Sequence, residues 1–388
     1  MSPNRKNNYF STLARRYQKA SRIEKSQILK EFCANTGYHP KHAIRKLNAF
    51  KPQRGYSQPR KKPGPKSQYN VPQVLRPLTK IWLTANLPCS KRLKAILPLW
   101  IKPYQIEFGT LPFEVLTKLR NISPATIDRI LYPERIKHRG KGRSTTKPGL
   151  ILKTQIPIKT NQWDETKPGF LEADTVAHCG SSMAGTFVFS LDTVDIATGW
   201  TEQRAIWGNG QTACIEQIKD IEDSLPFPLL GFDSDGGNEF INWHLARHFL
   251  NRKTPIQFTR SRPYHKNDNA HIEQKNWTHI RQWIGYQRFD NPEIVGLLND
   301  LYKNEWRLFH NFFLPSVKLQ EKFRLASKLI RKHDSPKTPF QRILASKLIP
   351  KSTQDALQKQ FDSLNPFHLH KIILKKISII HKLGSGYL

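Results

Sequence analysis

Asp174, in Leu171-Glu-Ala-Asp-Thr-Val-Ala-His178, Asp235, in Phe232-Asp-Ser-Asp-Gly-Gly-Asn-Glu-Phe240, and Glu273, in Asn267-Asp-Asn-Ala-His-Ile-Glu273, are carboxylates in settings that suit one metal site. Their chemistry would be that of phosphodiesters. Hard carboxylate oxygens hold Mg²⁺, and two such ions can clamp the attacking and leaving oxygens of an in-line displacement at phosphorus. The chain carries 30 acids, so this choice needs reasons. Asp174 interrupts an apolar run, where an unpaired carboxylate is costly to bury. Asp235 stands directly before Gly236-Gly237, where the backbone can turn sharply at the carboxyl end of a strand, the place where α/β folds put ligands. Asp233 lies two positions back on the same strand face and is its rival. Glu273 falls in the first turn or two of a helix that Asp268 caps, and alone it reads equally as a solvated helix glutamate.

Charge points to the partner. The 388 residues hold 63 Lys and Arg against 30 Asp and Glu, a formal net charge of +33. A chain this basic repels itself unless it lies against a polyanion, so nucleic acid is the expected partner. No run of about 18 apolar residues marks a membrane span, and Met1 to Phe10 lacks the apolar core of a secretory signal. The expected location is the cytoplasm, in association with the nucleoid. Cys33, Cys89, Cys179 and Cys214 form no Cys-x-x-Cys pair, which argues against a zinc module and a disulfide framework.

The elements that must position the acids follow a legible order. Residues 1–50 read as a helix-turn-helix region: Ser21 and Glu24 form a capping box, Ile23, Ile28, Leu29 and Phe32 keep roughly helical spacing, and Gly37 stops the helix. A second helix from about Pro40 to Phe50 presents Arg45 and Lys46. A plain helical hairpin with a solvated basic face reads the same way. Residues 51–70 form a basic, proline-rich linker that could lay Arg60, Lys61 and Lys62 along a minor groove. Residues 71–134 read as a second helical DNA-binding domain. In it Ser123 caps a helix begun by Pro124, which exposes Thr126, Asp128 and Arg129 between Ile127 and Ile130. Residues 135–165 are a further basic linker.

From Gly169 the pattern becomes α/β. Strands are predicted over Phe170 to His178, Thr186 to Asp192, Trp200 to Ile206, Leu229 to Asp233 and Ile256 to Thr259. Helices are predicted over Gln211 to Ser224, from near Asn238 and from near Asp268. This order matches a ribonuclease-H-like core, a mixed five-stranded sheet with flanking helices over residues 166–315. In that arrangement the last helix lies beside the first and fourth strands and aims Glu273 at their carboxylates. Arg260, Arg262, Tyr264, His265 and Lys266 in the preceding loop, and Lys275 beyond Glu273, are candidate DNA contacts. The aromatic stretch Trp306 to Leu314 reads as core. Residues 316–388 read as a basic C-terminal appendage for DNA binding or multimerisation.

The strings Asp174-Thr-Val-Ala-His178, Ser234-Asp-Gly-Gly-Asn-Glu-Phe240 and Asp268-Asn-Ala-His-Ile-Glu273 resemble the three signatures of the DDE superfamily of insertion-sequence transposases with a retroviral-type integrase catalytic domain. Gly236 replaces the family's usual Asn, while the acid before it is kept. The resemblance implies a DNA transposase that cleaves element ends and joins them to target DNA, with Asp174, Asp235 and Glu273 both catalytic and metal-ligating. It implies two Mg²⁺ (or Mn²⁺) ions, double-stranded DNA as partner and a homo-oligomer on that DNA. His178 and His271 could position water or phosphate, or could equally be structural. Rival readings are a catalytically silent DNA-binding protein or repressor derived from a transposase, and a ribonuclease-H-like nuclease that hydrolyses without joining.

Overall fold

The computed structural model describes residues 3–50, 68–138, 165–234, 240, 243–260, 270–325 and 328–384. The chain divides into two units, Met1–Lys66 and Ser67–Leu388. The first contains α1 (Pro3–Lys19), α2 (Arg22–Thr36) and α3 (Pro40–Asn48) around Leu13, Ala14, Tyr17, Ile28, Phe32, Ala43 and Leu47. The Ser21–Glu24 capping box closes the start of α2, and Gly37, at φ 74°, ends it with its N–H on the Cys33 carbonyl. Glycine takes this left-handed conformation without the Cβ clash of other residues. The helix α1 was not anticipated, although Phe10, Leu13, Ala14 and Tyr17 carry the i, i+3, i+4, i+7 spacing of its buried face.

The second unit starts with α4 (Pro72–Thr84), α5 (Ser90–Phe108), α6 (Phe113–Asn121) and α7 (Pro124–Lys137). Ser123 caps α7 by accepting from the Thr126 N–H, as its sequence signature indicated. Next come β1 (Phe170–Ala177), β2 (Val188–Asp195), β3 (Thr201–Trp207), α8 (Gln211–Ser224), β4 (Gly231–Ser234), α9 (Trp243–Leu250) and β5 (Gln257–Arg260). They build the expected mixed five-stranded sheet, in the order β3-β2-β1-β4-β5. The β1–β2 and β2–β3 pairs are antiparallel, whereas β1–β4 and β4–β5 are parallel.

Two glycines let β1 and β4 meet. A Cβ on Gly231 would overlap the Phe170 ring, its register partner, and one on Gly169 would overlap the Pro228 carbonyl. Asp195 secures the same corner by accepting from the Gly169 N–H at 2.8 Å and the Thr198 N–H at 2.7 Å.

The sheet's two faces differ in kind because side chains alternate along each strand. Leu171, Ala173, Leu191, Ile206, Phe232 and Phe258 pack with Cys214, Ile218, Ile221, Leu245 and Phe249 of α8 and α9. Val176, Val188 and Ala205 point the other way and join a larger core. That second face also carries, by parity and register, Glu172 and Asp174 of β1, Asp192 of β2, Gln203 of β3 and Asp233 of β4.

A continuous helical run, α10 (Ala270–Lys275), a π-helical segment (Asn276–Arg281) and α11 (Gln282–Ile284), crosses this polar face against β1 and β2. Beyond it lie α12 (Glu293–Leu301), a π-helical segment (Tyr302–Trp306) and α13 (Arg307–Phe313). The hairpin β6 (Leu319–Leu325) and β7 (Lys328–His333) follows, then α14 (Pro339–Ala345), α15 (Lys351–Asp362) and α16 (Pro366–Gly384). The aromatic stretch is core, as expected: Trp306, Phe309, Phe312 and Phe313 are fully buried.

The last helix departs from the expected appendage. Phe367, Leu369, Ile373, Ile377 and Ile380 of α16 are buried in the same core as α4, α5, α12 and α13. Lys371, Lys375 and Lys382 are exposed, Lys376 pairs with Asp300 and Glu305, and the apolar stripe supplies the packing surface.

Candidate functional site

Asp174 lies where β1 runs past the end of β4. The residue before it, Ala173, is registered with Ser234, the last residue of β4. The Asp174 side chain is half-buried. One carboxylate oxygen accepts from the Thr175 N–H at 2.7 Å, and the other accepts from Asn276 Nδ2 at 2.6 Å. A charged acceptor held by two donors is fixed in orientation.

The helix α10 carries Glu273, and Asn276, three residues later at the start of the π-helical segment, meets Asp174 at this edge. Glu273 is exposed, while the neighbouring Ile272 is buried and donates its N–H to Glu172 Oε2 at 3.1 Å. That bond clamps α10 to β1. The helix becomes π-helical at Asn276, the residue that holds Asp174. Such widened turns are frequent at functional sites.

Asp235 is the next residue in sequence after Ser234 and lies outside the described residues, as do Arg60, Lys61, Lys62, Arg262, Tyr264, His265 and Lys266. Arg260 ends β5. Among the described residues no group of three or more His, Cys, Asp or Glu side chains is arranged to hold a metal ion. Oxygens of the hard type that suits Mg²⁺ or Mn²⁺ are present in the Asp174 carboxylate. Asn276, which donates to one of them, has its own Oδ1 buried without a hydrogen-bond donor among the described residues.

The rival acid Asp233 is 3% exposed and accepts from Thr259 Oγ1 at 2.5 Å. It is packed inside the sheet between Glu172 and Thr259, its register partners on β1 and β5.

Two participants escaped the sequence reading. Asn276 is one, and Asp192 is the other. Asp192 faces Asp174 directly across the β1–β2 pair, fully buried, with Gln203 Nε2 donating to it at 2.7 Å. Burial pushes its carboxyl up to about 7, against the Gln203 hydrogen bond and the charge of Lys275. Strand alternation would have placed it, had the hairpin register been known.

Lys275 was expected on a DNA-facing surface but is only 8% exposed, with Nζ 3.4 Å from His279 Nε2. Burial brings it down to about 8. Its side chain turns inward because the neighbouring sheet face is polar and acidic there. His178 is also interior: Nε2 is 2.8 Å from Ser190 Oγ, the ring stacks on Phe289, and burial lowers it to about 3. Among the other expected DNA contacts, Lys46 donates to the Tyr38 hydroxyl at 3.3 Å and sits over the Phe10 ring. Arg45 is exposed on α3, and Arg129 is exposed but folded back onto Ala125 and Thr126 of its own helix.

The uncharacterized protein y4rM of Sinorhizobium fredii is 36% identical to this chain over 333 residues, 84% of this chain and 91% of that protein. The chain belongs to the y4rM family. That relative's name assigns no activity. No protein-family model matches the sequence. Among solved structures, a chain of the simian T-cell lymphotropic virus intasome in complex with PP2A regulatory subunit B56 gamma is 14% identical. The match covers 64% of this chain and 76% of that one at a TM-score of 0.34. Among the described residues no helix is long and apolar enough to cross a membrane.

Proposed function

We propose that the chain is a metal-dependent DNA transposase, built on a ribonuclease-H-like core, that cleaves the ends of its element and joins them to target DNA. The observation that carries this reading is the position of Asp174. It is an oriented carboxylate on the central strand of a β3-β2-β1-β4-β5 sheet, beside the end of β4 and under the helix that bears Glu273. The sequence places Asp235 directly after β4, and the three motif strings lie in the order the transposase reading needs.

When bound, two Mg²⁺ or Mn²⁺ ions would activate water or a 3′-hydroxyl and stabilise the departing oxygen. Asp174, Asp235 and Glu273 would hold them, and Asn276 fixes the direction in which Asp174 offers its oxygens. Basic side chains such as Arg45 on α3 would bind the phosphate backbone, whose neutralisation releases counterions. DNA-bound chains would act as a homo-oligomer.

The test uses labelled DNA spanning the ends of the segment that encodes the chain, incubated with purified protein and Mg²⁺. Wild type is expected to nick the ends and transfer them to a second duplex. Asp174→Asn, Asp235→Asn and Glu273→Gln should each lose both products while retaining DNA binding. Equal activity in wild type and Asp174→Asn would overturn the metal-site assignment. Nicking without joined products would identify a nuclease, and binding without either product a silent DNA-binding protein.

A further inference from the structure

A cavity of about 790 Å³ opens on the flank of the α10–α11 run that carries Gln274, Lys275, Thr278, His279 and Gln282. Its other walls are the α4–α5 loop with the first turn of α5, and β7 with the loop that follows it. Five cations line it from three separate elements: Lys91 and Arg92 of α5, Lys275 of α10, and Arg331 and Lys332 of β7. Among the described residues Arg92, Lys275 and Arg331 have no carboxylate within ion-pair distance, although Lys275 is 8% exposed and is compensated only at longer range, by the charge of Asp192. The Arg92 charge acts unfavourably on both Lys275 and His279.

Water solvates a buried ammonium poorly, and like charges gathered round it raise the cost further, so such a place favours an anion. The one carboxylate in the wall, Asp334, is already taken by Arg342 and by the Lys318 N–H at 2.6 Å. The neighbouring Lys332 is paired with Glu321 at 2.8 Å. The wall also holds an uncommon backbone, with Asn86 at φ 62° and Leu87 at φ 57°. Gln282 Nε2 pins that loop to the helix by donating to Asn86 Oδ1 at 3.2 Å. Non-glycine residues held in the left-handed region cluster at binding sites, where neighbours over-determine them.

We propose that this cavity binds the sugar-phosphate backbone of a DNA strand, with Arg92, Lys275 and Arg331 each facing a phosphate. The inference rests on the DNA-acting reading above and adds to it a second place of contact, whose lining does not include Glu273. The cations are spread over three elements rather than converging on one point, which suits a row of phosphates better than a single small anion. No Phe, Tyr or Trp lines the cavity, and its cations would read phosphates rather than base edges, which makes the contact independent of sequence.

Cys89 lies in the same wall and is exposed, so it is a native reporter. Full-length protein with excess chelator is alkylated with a maleimide, with and without a DNA duplex or single strand, and labelling is followed by mass spectrometry. Bound DNA is expected to slow Cys89 labelling severalfold. The pair of substitutions Arg92→Gln and Arg331→Gln, checked for an unchanged melting temperature, should remove that protection. The same pair should lower the slope of log affinity against log salt by about two. Cys89 labelling unaffected by saturating DNA would overturn the proposal, as would equal protection by inorganic phosphate or a mononucleotide. The chelator keeps the outcome separate from the cleavage test. Failure of Asp174→Asn to abolish cutting would leave this result standing, and failure here would leave the metal-site reading intact.

Discussion

At the scale of residues, the bond from Asn276 to Asp174 is the most informative contact in the molecule. A partner that orients a metal-binding side chain typically contributes about 10–100-fold to activity or metal affinity. Asn276→Ala is therefore expected to lower end cleavage by roughly that factor and to raise the Mg²⁺ concentration giving half-maximal rate. A rate titration measures both, and an unchanged titration would remove Asn276 from the site. Asp174 was visible in the sequence because its string resembles the first transposase signature, although Glu172 lies two positions back on the same strand face. Asn276 was not, since nothing in Lys275-Asn-Trp277 says which side chain faces a strand about a hundred positions earlier.

Buried histidines give a second prediction. His178 and His310 are both lowered to about 3 by burial, from an ordinary value of 6.5. Both therefore contribute stability that is present above 6.5 and lost as pH falls towards 3. Asp192, raised by burial to about 7, works in the opposite sense, with stability present at low pH and lost as pH rises through 7. His279 and His370 are lowered by burial as well, and the four histidines outweigh the two buried acids raised by it, Asp192 and Asp195, so melting temperature should fall as pH drops from 6.5 to 4. His310→Phe should flatten that slope, and an unaltered slope would show that His310 is not buried neutral.

At the scale of elements, the β1–β4 pairing decides whether an acid on one strand can meet an acid after the other. The pair is short, and Gly231 opposite Phe170 sets its register. Gly231→Val should cost about 1–3 kcal/mol or more, because the added side chain must displace the Phe170 ring. Chemical denaturation measures the loss, and cleavage should fall further than stability if the register moves. Retained stability and activity would mean that the strands can separate without penalty.

Alternation and capping signals made most elements legible. The predicted helix over Gln211–Ser224 coincides with α8, and Ser21, Gly37 and Ser123 mark real helix ends. The π-helical turn at Asn276 was illegible, since it depends on what the helix packs against. So was the inward turn of Lys275, which a periodicity of positive charge cannot distinguish from a solvated face.

At the scale of the whole molecule, the unit Ser67–Leu388 holds residues from both ends of its sequence in one core. Trp100 of α5 donates to the Phe313 carbonyl at 3.2 Å and lies edge-on to Phe367 of α16. Removal of residues 366–388 takes away five buried apolar side chains, each worth roughly 1.5–3 kcal/mol. That sum is comparable with the entire stability of a typical domain, about 5–15 kcal/mol. The truncated protein is expected to lose its cooperative melt and to aggregate. A truncated chain that melts normally would return α16 to the status of an appendage.

The sequence by itself determined the charge, the class of partner it favours, the order of strands and helices from β1 to α10, and the identity of the acids worth testing. Those properties are local or additive: periodicity, capping, and a count of charges. Only the tertiary structure decided that Asp192 stands across from Asp174, that Asn276 holds it, and that Lys275 points into a cavity shared with Arg92 and Arg331. Each of these depends on register or on packing between segments far apart in the chain, and a linear pattern contains no term for either.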